Sequence, residues 1–240
     1  MRLHRRSINC VSNTPRWILN TPKIVRKTRP FFRGSNHREE NSHLEEKAWL
    51  RSQTLLALGK SQVTVLDAYA GSGNVWRRVE ELVPDIEVMR LAVEKRKSAA
   101  EDGAIVGDNL KVLPTLDLAS FDLIDLDAFG FPTAQIAICA EKAPNVPVVT
   151  TVIANHYAPT PKQVLKSLEL PERWTARSSD YPHLLFAKQR WTYWDHYLWS
   201  LGYRKTMRLH MADFGYTKRY EVLYSELAFG TLRSTETEMG

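Results

Sequence analysis

Cysteine is nearly absent from this chain, which has only Cys10 and Cys139 among its 240 residues. Two cysteines are too few for a disulfide framework or a cysteine-rich metal site, and the seven histidines lack the spacing of a zinc-binding helix. No apolar run is long enough to span a bilayer, and the Arg-rich start lacks the apolar core of a secretory signal. We therefore expect a cytoplasmic protein with no structural metal and no membrane partner.

Acidic residues are missing from the first 38 residues, which contain ten Lys or Arg. The rest of the chain has 23 bases against 27 acids, so the net charge of +6 originates in this segment. Trp17, Phe31 and Phe32 lie among its basic residues, a mixture suited to phosphate contact and base stacking. We predict a nucleic-acid-binding arm over residues 1–40. Organelle targeting is the alternative, which the three prolines of the segment disfavour.

A glycine turn follows the β-branched run that begins at Val63, in the sequence VTVLDAYAGSG. Residues 74–83 then have the periodicity of an amphipathic helix, so a ligand of this turn would lie at a helix N-terminus. The dinucleotide fingerprint requires a third glycine, but Trp76 stands at that position. A cofactor without a pyrophosphate therefore fits the turn better than a dinucleotide does.

Apolar runs alternate with helical segments along residues 41–230, the range we predict as the main domain, with 231–240 as a tail. This alternation predicts an α/β fold with a doubly wound, mostly parallel, Rossmann-like sheet that ends in an antiparallel closing strand. The domain begins with a helix near 43–58, capped by Ser42 and Glu45 and ended by Gly59. The predicted strands are 63–67, 86–93, 104–106, 121–126, 146–154, 203–210 and 216–224.

Acidic residues fall at or just beyond the ends of four of these strands. In doubly wound sheets ligands bind beyond the carboxyl ends of the strands, so these side chains are expected around one site. They are Asp67, Glu94, Asp108 and Asp127.

This order resembles the class I S-adenosylmethionine-dependent methyltransferases over roughly residues 60–225. The resemblance implies S-adenosyl-L-methionine as cofactor, held through its methionine by the glycine loop, through its ribose by Glu94 and through its adenine by Asp108 and Asn109. The implied cofactor-binding residues are Asp67, Ala68, Tyr69, Gly71, Gly73, Glu94, Asp108 and Asn109.

The segment DLIDLDAFGFP, residues 122–132, is similar to the DLDPFGSP signature of the tRNA guanine dimethyltransferases, which act on an exocyclic amine. LDAYAGSG also looks like the first loop of that family. Two positions depart from the signature, because Ala128 replaces Pro and Phe131 replaces Ser. The matching residues are Asp125, Leu126, Asp127, Phe129, Gly130 and Pro132.

An exocyclic amine is a weak nucleophile, since it shares its lone pair with the heterocycle. A carboxylate that accepts its N–H, here Asp127, would favour the nucleophilic form and stabilise the developing positive charge. Asp127 and Phe129, which would stack on the base, are therefore the predicted catalytic residues, whereas a structural role is expected for Asp125. The predicted substrate residues are Gly130 and, near the end of the fifth strand, Asn155, His156 and Tyr157.

The resulting hypothesis is a methyltransferase that modifies an exocyclic amine of a nucleic-acid base, with a tRNA-like guanine in RNA favoured. Two alternatives remain open. Related loops occur in amino-methyltransferases of DNA, and the replacement at Ala128 is compatible with a catalytically lapsed, Rossmann-like nucleic-acid-binding protein.

Overall fold

The computed structural model describes residues 43–98, 100–128, 130–155, 166–168, 182–213 and 216–225. Within these ranges, the side chains of residues 154–155, 182–188 and 205–217 are not described. The predicted arm and the tail lie outside the described residues, so both remain predictions. Among the described helices, none is long and apolar enough to cross a membrane.

The described residues form a sheet of seven strands in the order β3-β2-β1-β4-β5-β7-β6. Strands β1 to β5 run parallel, and β7 runs antiparallel to both β5 and β6. The strands are β1 Gln62–Asp67, β2 Glu87–Glu94, β3 Ile105–Val106, β4 Leu123–Asp127, β5 Val148–Asn155, β6 Tyr203–Asp213 and β7 Tyr216–Ser225.

The chain starts this sheet at its centre, runs outward through β2 and β3, and returns to add β4 on the other side of β1. The order therefore reverses between β1 and β4, and the crevice beyond their carboxyl ends is the expected ligand site of a doubly wound sheet. The predicted doubly wound, mostly parallel sheet with an antiparallel closing strand is confirmed.

Five described helices cover the two faces of the sheet. Two separate apolar clusters show which helix lies on which face: α1 and α2 share a core with Val63, Val65 and Val149, while the other helices share one with Leu66, Ile124 and Val148. Alternating residues of each strand thus enter opposite cores. The helices are α1 Leu44–Leu58, α2 Asn74–Leu82, α3 Asn109–Val112, α4 Thr133–Lys142 and α5 Pro182–Ser200.

Helix α1 differs from its sequence prediction at its N-terminus. Ser42 lies outside the described residues, so the predicted capping box stays a prediction, and the Glu45 carboxylate pairs with Arg78 of α2 at 3.0 Å. The N-cap is His43, which has a left-handed φ of 64° and no capping side-chain hydrogen bond. The predicted stop at Gly59 is confirmed by its left-handed φ of 64° and its N–H bond to Leu56 O.

The buried face of α1 is unusually polar. Lys47, Arg51, Ser52 and Thr54 are buried together with Ala48, Leu50 and Leu55, whereas Leu56 is 55% exposed. An amphipathic helix normally buries an apolar stripe, so the charged residues require partners on the sheet. Those partners are acidic side chains at the carboxyl ends of the strands.

The aromatic helix α5 belongs to the core. Trp194, Tyr193 and Tyr197 are all buried; the Trp194 indole donates to Glu221 at 2.8 Å, and the Tyr197 hydroxyl donates to the carbonyl of Thr133 at 2.8 Å. Because the polar ends of Trp194 and Tyr197 each have a partner, these aromatic side chains are accommodated inside the core. Trp199, by contrast, is 60% exposed.

Candidate functional site

Three carboxylates lie side by side at the switch point of the sheet. Asp67 ends β1 and is in register with Asp125 of β4, and Asp127 ends β4 in register with Thr151 of β5. Residues paired in parallel strands, and residues two apart in one strand, point to the same face. Asp67, Asp125 and Asp127 therefore share the face that α1 and α2 cover.

The glycine loop after Asp67 leads directly into α2, as predicted. Gly71 and Gly73 have φ values of 54° and 73°, in the left-handed region that favours glycine. A Cβ on Gly73 would lie 2.1 Å from Oε2 of Glu101 and 3.0 Å from Nη2 of Arg90. The close approach at Gly73 is therefore made by side chains of β2 and of the segment that follows it.

Glu94, at the end of β2, lies against this loop. Its carboxylate accepts hydrogen bonds from the backbone N–H of Gly71 at 3.1 Å and from that of Arg96 at 2.8 Å. The structure thus places the predicted ribose-binding acid beside the predicted methionine-binding loop, although the two are 23 residues apart in sequence.

Asp108 and Asn109 follow β3 and both have partners within the chain. Asp108 caps α3 by accepting from Leu110 N at 3.1 Å and pairs with Lys95 at 2.8 Å; these contacts lower its pKa. The Asn109 amide donates to the carbonyl of Ala68 at 3.2 Å and accepts from Gln135 at 2.9 Å. Asn109 therefore ties the β1 loop to α4, and the adenine-binding role of both residues stays a prediction.

Tyr69 lies in the loop between Asp67 and Gly71 and packs against the apolar core below α4. Burial raises the pKa of its phenol to about 12, so the hydroxyl stays protonated at neutral pH. Ala68 is 2% exposed, and its backbone N–H donates to the carbonyl of Asp125 at 3.0 Å. These contacts hold the start of the loop against β4.

Asp125 is fully engaged inside the protein. Arg51 of α1 donates to both of its carboxylate oxygens, each at 2.6 Å, and the indole of Trp76 on α2 donates to Oδ2 at 2.9 Å. Both charged side chains are at most 1% exposed. The expected structural role of Asp125 fits these contacts, which fasten α1 and α2 to the sheet. Trp76, at the position of the missing third glycine, supplies one of them.

Asp127 has a different set of contacts. The Lys47 ammonium lies 2.7 Å from its Oδ2, and Nη2 of Arg51 is 3.9 Å from the same oxygen. The Thr151 hydroxyl, opposite Asp127 in register, also acts on the carboxylate and lowers its pKa. Burial alone would raise the pKa of Asp127, but the two cations outweigh it and hold the pKa below its usual value. Asp127 is therefore an ionised carboxylate whose two cationic neighbours both approach Oδ2.

Asp67 is the third acid of the row and is 3% exposed. Arg90 of β2 donates to its Oδ2 at 3.1 Å and also forms a bidentate pair with Glu101. Burial and the adjacent Asp125 raise the pKa of Asp67 to about 8 despite Arg90 and Arg51. Asp67 is therefore mostly protonated near neutral pH, and a cationic group placed beside it would favour its ionised form and lower its pKa.

The predicted substrate residues are only partly described. Gly130 is buried, has a φ of 118°, and accepts at its carbonyl from Ile153 N at 3.2 Å. Asn155 ends β5 opposite Tyr216 of β7. Phe129, His156 and Tyr157 lie outside the described residues, so their roles remain predictions.

Sequence reasoning missed four charged residues of this site: Lys47, Arg51, Arg90 and Glu101. One signal was available for the first two, because Lys47 and Arg51 lie one helical turn apart on the face of α1 that also carries Ala48 and Leu55. Charges on a core-facing stripe require buried partners, and the acids of β4 were the available candidates.

No protein-family model matches the chain, and no curated protein sequence is significantly similar to it. Solved structures with a similar fold include a protein from Listeria monocytogenes described as a class I S-adenosylmethionine-dependent methyltransferase, with 11% identity and a TM-score of 0.46. Trm1 from Pyrococcus horikoshii, in complex with S-adenosyl-L-methionine, has 14% identity and a TM-score of 0.47. Each similarity covers 76% of this chain.

The magnesium protoporphyrin IX methyltransferase ChlM from Synechocystis, with bound SAH, has 14% identity and a TM-score of 0.42 over 80% of this chain and 90% of its own. The chain spans 60% of the Listeria protein and 54% of Trm1. At such identities the similarity concerns the fold alone. The fold itself follows from the strand order described above: it is the Rossmann-like sheet with an antiparallel closing strand.

Proposed function

We propose that this chain is an S-adenosylmethionine-dependent methyltransferase that modifies an exocyclic amine of a nucleic-acid base, with RNA as the favoured polymer. The observation that carries the proposal is the state of Asp127. It is ionised, it ends β4 at the switch point, and both cations beside it approach Oδ2, so Oδ1 keeps acceptor capacity. An amine N–H is a suitable donor to that oxygen.

The residues around the loop fit the cofactor in their chemistry. A buried carboxylate at Asp67 suits the ammonium of a methionine group, and a carboxylate at Glu94 suits a ribose diol. When bound, the cofactor supplies a methyl group that is already activated by its positive sulfur.

The task of the chain is therefore to position the acceptor. The amine nitrogen attacks the methyl carbon while the electron pair of the S–C bond returns to sulfur, and the nitrogen then loses one proton. Asp127 accepts an N–H of the amine and stabilises the positive charge that develops on nitrogen. Phe129, two residues further along the chain, is proposed to stack on the base.

RNA is favoured over small molecules by the basic segment of the chain. The ten bases lie within residues 1–38, whereas α1, which contributes Lys47 to the surroundings of Asp127, begins at Leu44. Phosphate contacts give affinity and orientation without reading sequence, whereas contacts at the active site select the base. A tRNA-like guanine is proposed from the similarity of residues 122–132 to the DLDPFGSP signature.

The test is a transfer assay with cofactor labelled on its methyl group, offered separately to total RNA, genomic DNA and a protein extract, with nucleoside analysis of the product. Label in an N-methylated guanosine from RNA would support the proposal in full. Label in DNA alone would reassign the polymer. Cofactor binding without transfer to any polymer would instead indicate the lapsed binding protein.

A further inference from the structure

The packing of α1 against the sheet does not require the buried charge of Lys47. Arg51 alone engages both oxygens of Asp125 on β4, so the helix is fastened to the sheet without a second cation. The Lys47 side chain is only 10% exposed, which is costly for a strongly hydrated ammonium. Among the described residues, the partner of that ammonium is Asp127.

The cations around Asp127 approach only one of its two carboxylate oxygens. Lys47 occupies Oδ2 at 2.7 Å, and Arg51 approaches the same oxygen at 3.9 Å. Thr151, opposite Asp127 in register, is fully buried, and its hydroxyl is close enough to the carboxylate to lower the pKa of Asp127, although it makes no hydrogen bond of ordinary geometry. Both cations thus approach Oδ2, and because each carboxylate oxygen can accept more than one hydrogen bond, Oδ1 keeps acceptor capacity for a substrate N–H.

We propose that Lys47 is a positioning residue for Asp127: it keeps the carboxylate ionised and turned, with Oδ2 held by the ammonium and Oδ1 presented to the amine of the substrate. This inference rests on the proposed function for the identity of the amine. It adds no covalent step, since Lys47 touches neither the reacting nitrogen nor the methyl group in this arrangement.

The electrostatic surroundings make Lys47 necessary for this purpose. The other charged groups that act on Asp127 are Arg51 of α1, Asp67 of β1 and Asp125 of β4. The guanidinium of Arg51 is already hydrogen-bonded to Asp125, and both neighbouring acids disfavour ionisation of Asp127. Without the ammonium of Lys47, burial and like charge would favour the protonated form, which accepts an amine N–H poorly.

The first test measures the ionisation of Asp127 directly, without a substrate. The carboxyl carbon of Asp127 is assigned by NMR from its disappearance in Asp127→Asn and is then titrated in the full chain. We expect a pKa below the ordinary value in the wild type, a raised pKa in Lys47→Met and Lys47→Gln, and a low pKa restored in Lys47→Arg.

A second Lys–Asp pair of the chain serves as a matched control. Lys60, which follows α1, pairs at 2.5 Å with Asp122, which immediately precedes β4. Lys60→Met should raise the pKa of Asp122, which is lowered in the wild type, and leave the resonance of Asp127 unchanged. A wild-type pKa of Asp127 at or above the ordinary value would overturn the proposal even if the Lys47 variants fail to fold.

The second test uses the transfer assay. Lys47→Met should lower kcat at neutral pH by about 10- to 100-fold, the scale of a misplaced catalytic group, and shift the acidic limb of the pH profile upward. Lys47→Arg should recover most of the rate. Equal profiles for the wild type and Lys47→Met would show that Lys47 only anchors the helix. Failure of the proposed function is distinguishable, because the wild type would then transfer no methyl group while the NMR titration still reports on Lys47.

Discussion

Arg51 holds Asp125 by two hydrogen bonds of 2.6 Å across 74 residues of sequence, in a pair with almost no solvent exposure. Removing one partner of a buried pair leaves the other charge uncompensated, at a cost of about 3 to 5 kcal/mol. We therefore expect Arg51→Met to lower the free energy of unfolding by that amount. Denaturant titration of Arg51→Met and of the double variant Arg51→Met/Asp125→Leu checks this. The double variant should recover most of the loss, and no recovery would mean that the pair is not the cause.

Replacement of Gly73 tests whether the glycine loop after β1 belongs to the cofactor site. Gly73→Ala must displace the Glu101 carboxylate and strain a backbone with a φ of 73°, so it should weaken cofactor binding roughly tenfold or more by calorimetry. Gly59→Ala is the control, because its φ is 64° but its Cβ would meet nothing within 4 Å. Each change should cost stability of about 1 to 2 kcal/mol from backbone strain alone. Equal cofactor affinity in the two variants would remove the loop from the binding site.

Replacement of Asp127 tests whether its carboxylate activates the amine of the substrate. Asp127→Ala should bind cofactor with nearly unchanged affinity but lose transfer by on the order of 100-fold or more, because the carboxylate acts on the amine. Asp122→Ala, at the other end of β4, should retain transfer and controls for loss of an acid near that strand. Normal methylation by Asp127→Ala would show that the amine is activated by another group.

The raised pKa of Asp67 predicts how stability changes with pH. Its folded-state pKa of about 8 exceeds the ordinary value of 3.8, so the folded state binds more protons between these values. Stability from this group is therefore fully present below about pH 4 and is lost as pH rises toward about 8. Asp67→Asn should flatten the fall of the unfolding midpoint between about pH 5 and 8. Parallel curves for the two proteins would contradict the assignment.

The basic segment predicts a salt dependence. If about five of its bases contact a single strand, log K for RNA should fall with log salt at a slope of roughly −3.5. Deleting residues 1–38 should flatten the slope equally for cognate and unrelated RNA and leave cofactor binding intact. Filter binding over a range of salt concentrations measures both slopes, and identical slopes would mean that the segment does not bind nucleic acid.

The succession of strands along the chain and the position of the glycine loop could be predicted from local sequence, whereas the spatial order of the strands in the sheet came from the structure. Each depends on a short pattern, such as the β-branched run before Asp67 or the helical periodicity after Gly73, and on the rule that parallel strands end at one edge. From that rule the sequence predicts Asp67, Glu94 and Asp127 at one edge of the sheet. Asp108 comes just after β3 at the same edge, although its carboxylate already binds Lys95 and the backbone N–H of Leu110.

Tertiary structure alone decided what these acids contact. Lys47 meets Asp127 across 80 residues of sequence, and the rotation of α1 about its axis determines that Lys47 rather than Leu56 faces the sheet. Periodicity indicates that a helix has faces, but the surface opposite it selects which face is buried. In α5 the same effect buried Tyr193 and Tyr197 as well as Trp194. The sequence thus determined which residues line the edge of the sheet, and packing determined their charge state, because a carboxylate's ionisation depends on burial and on neighbours that are distant along the chain.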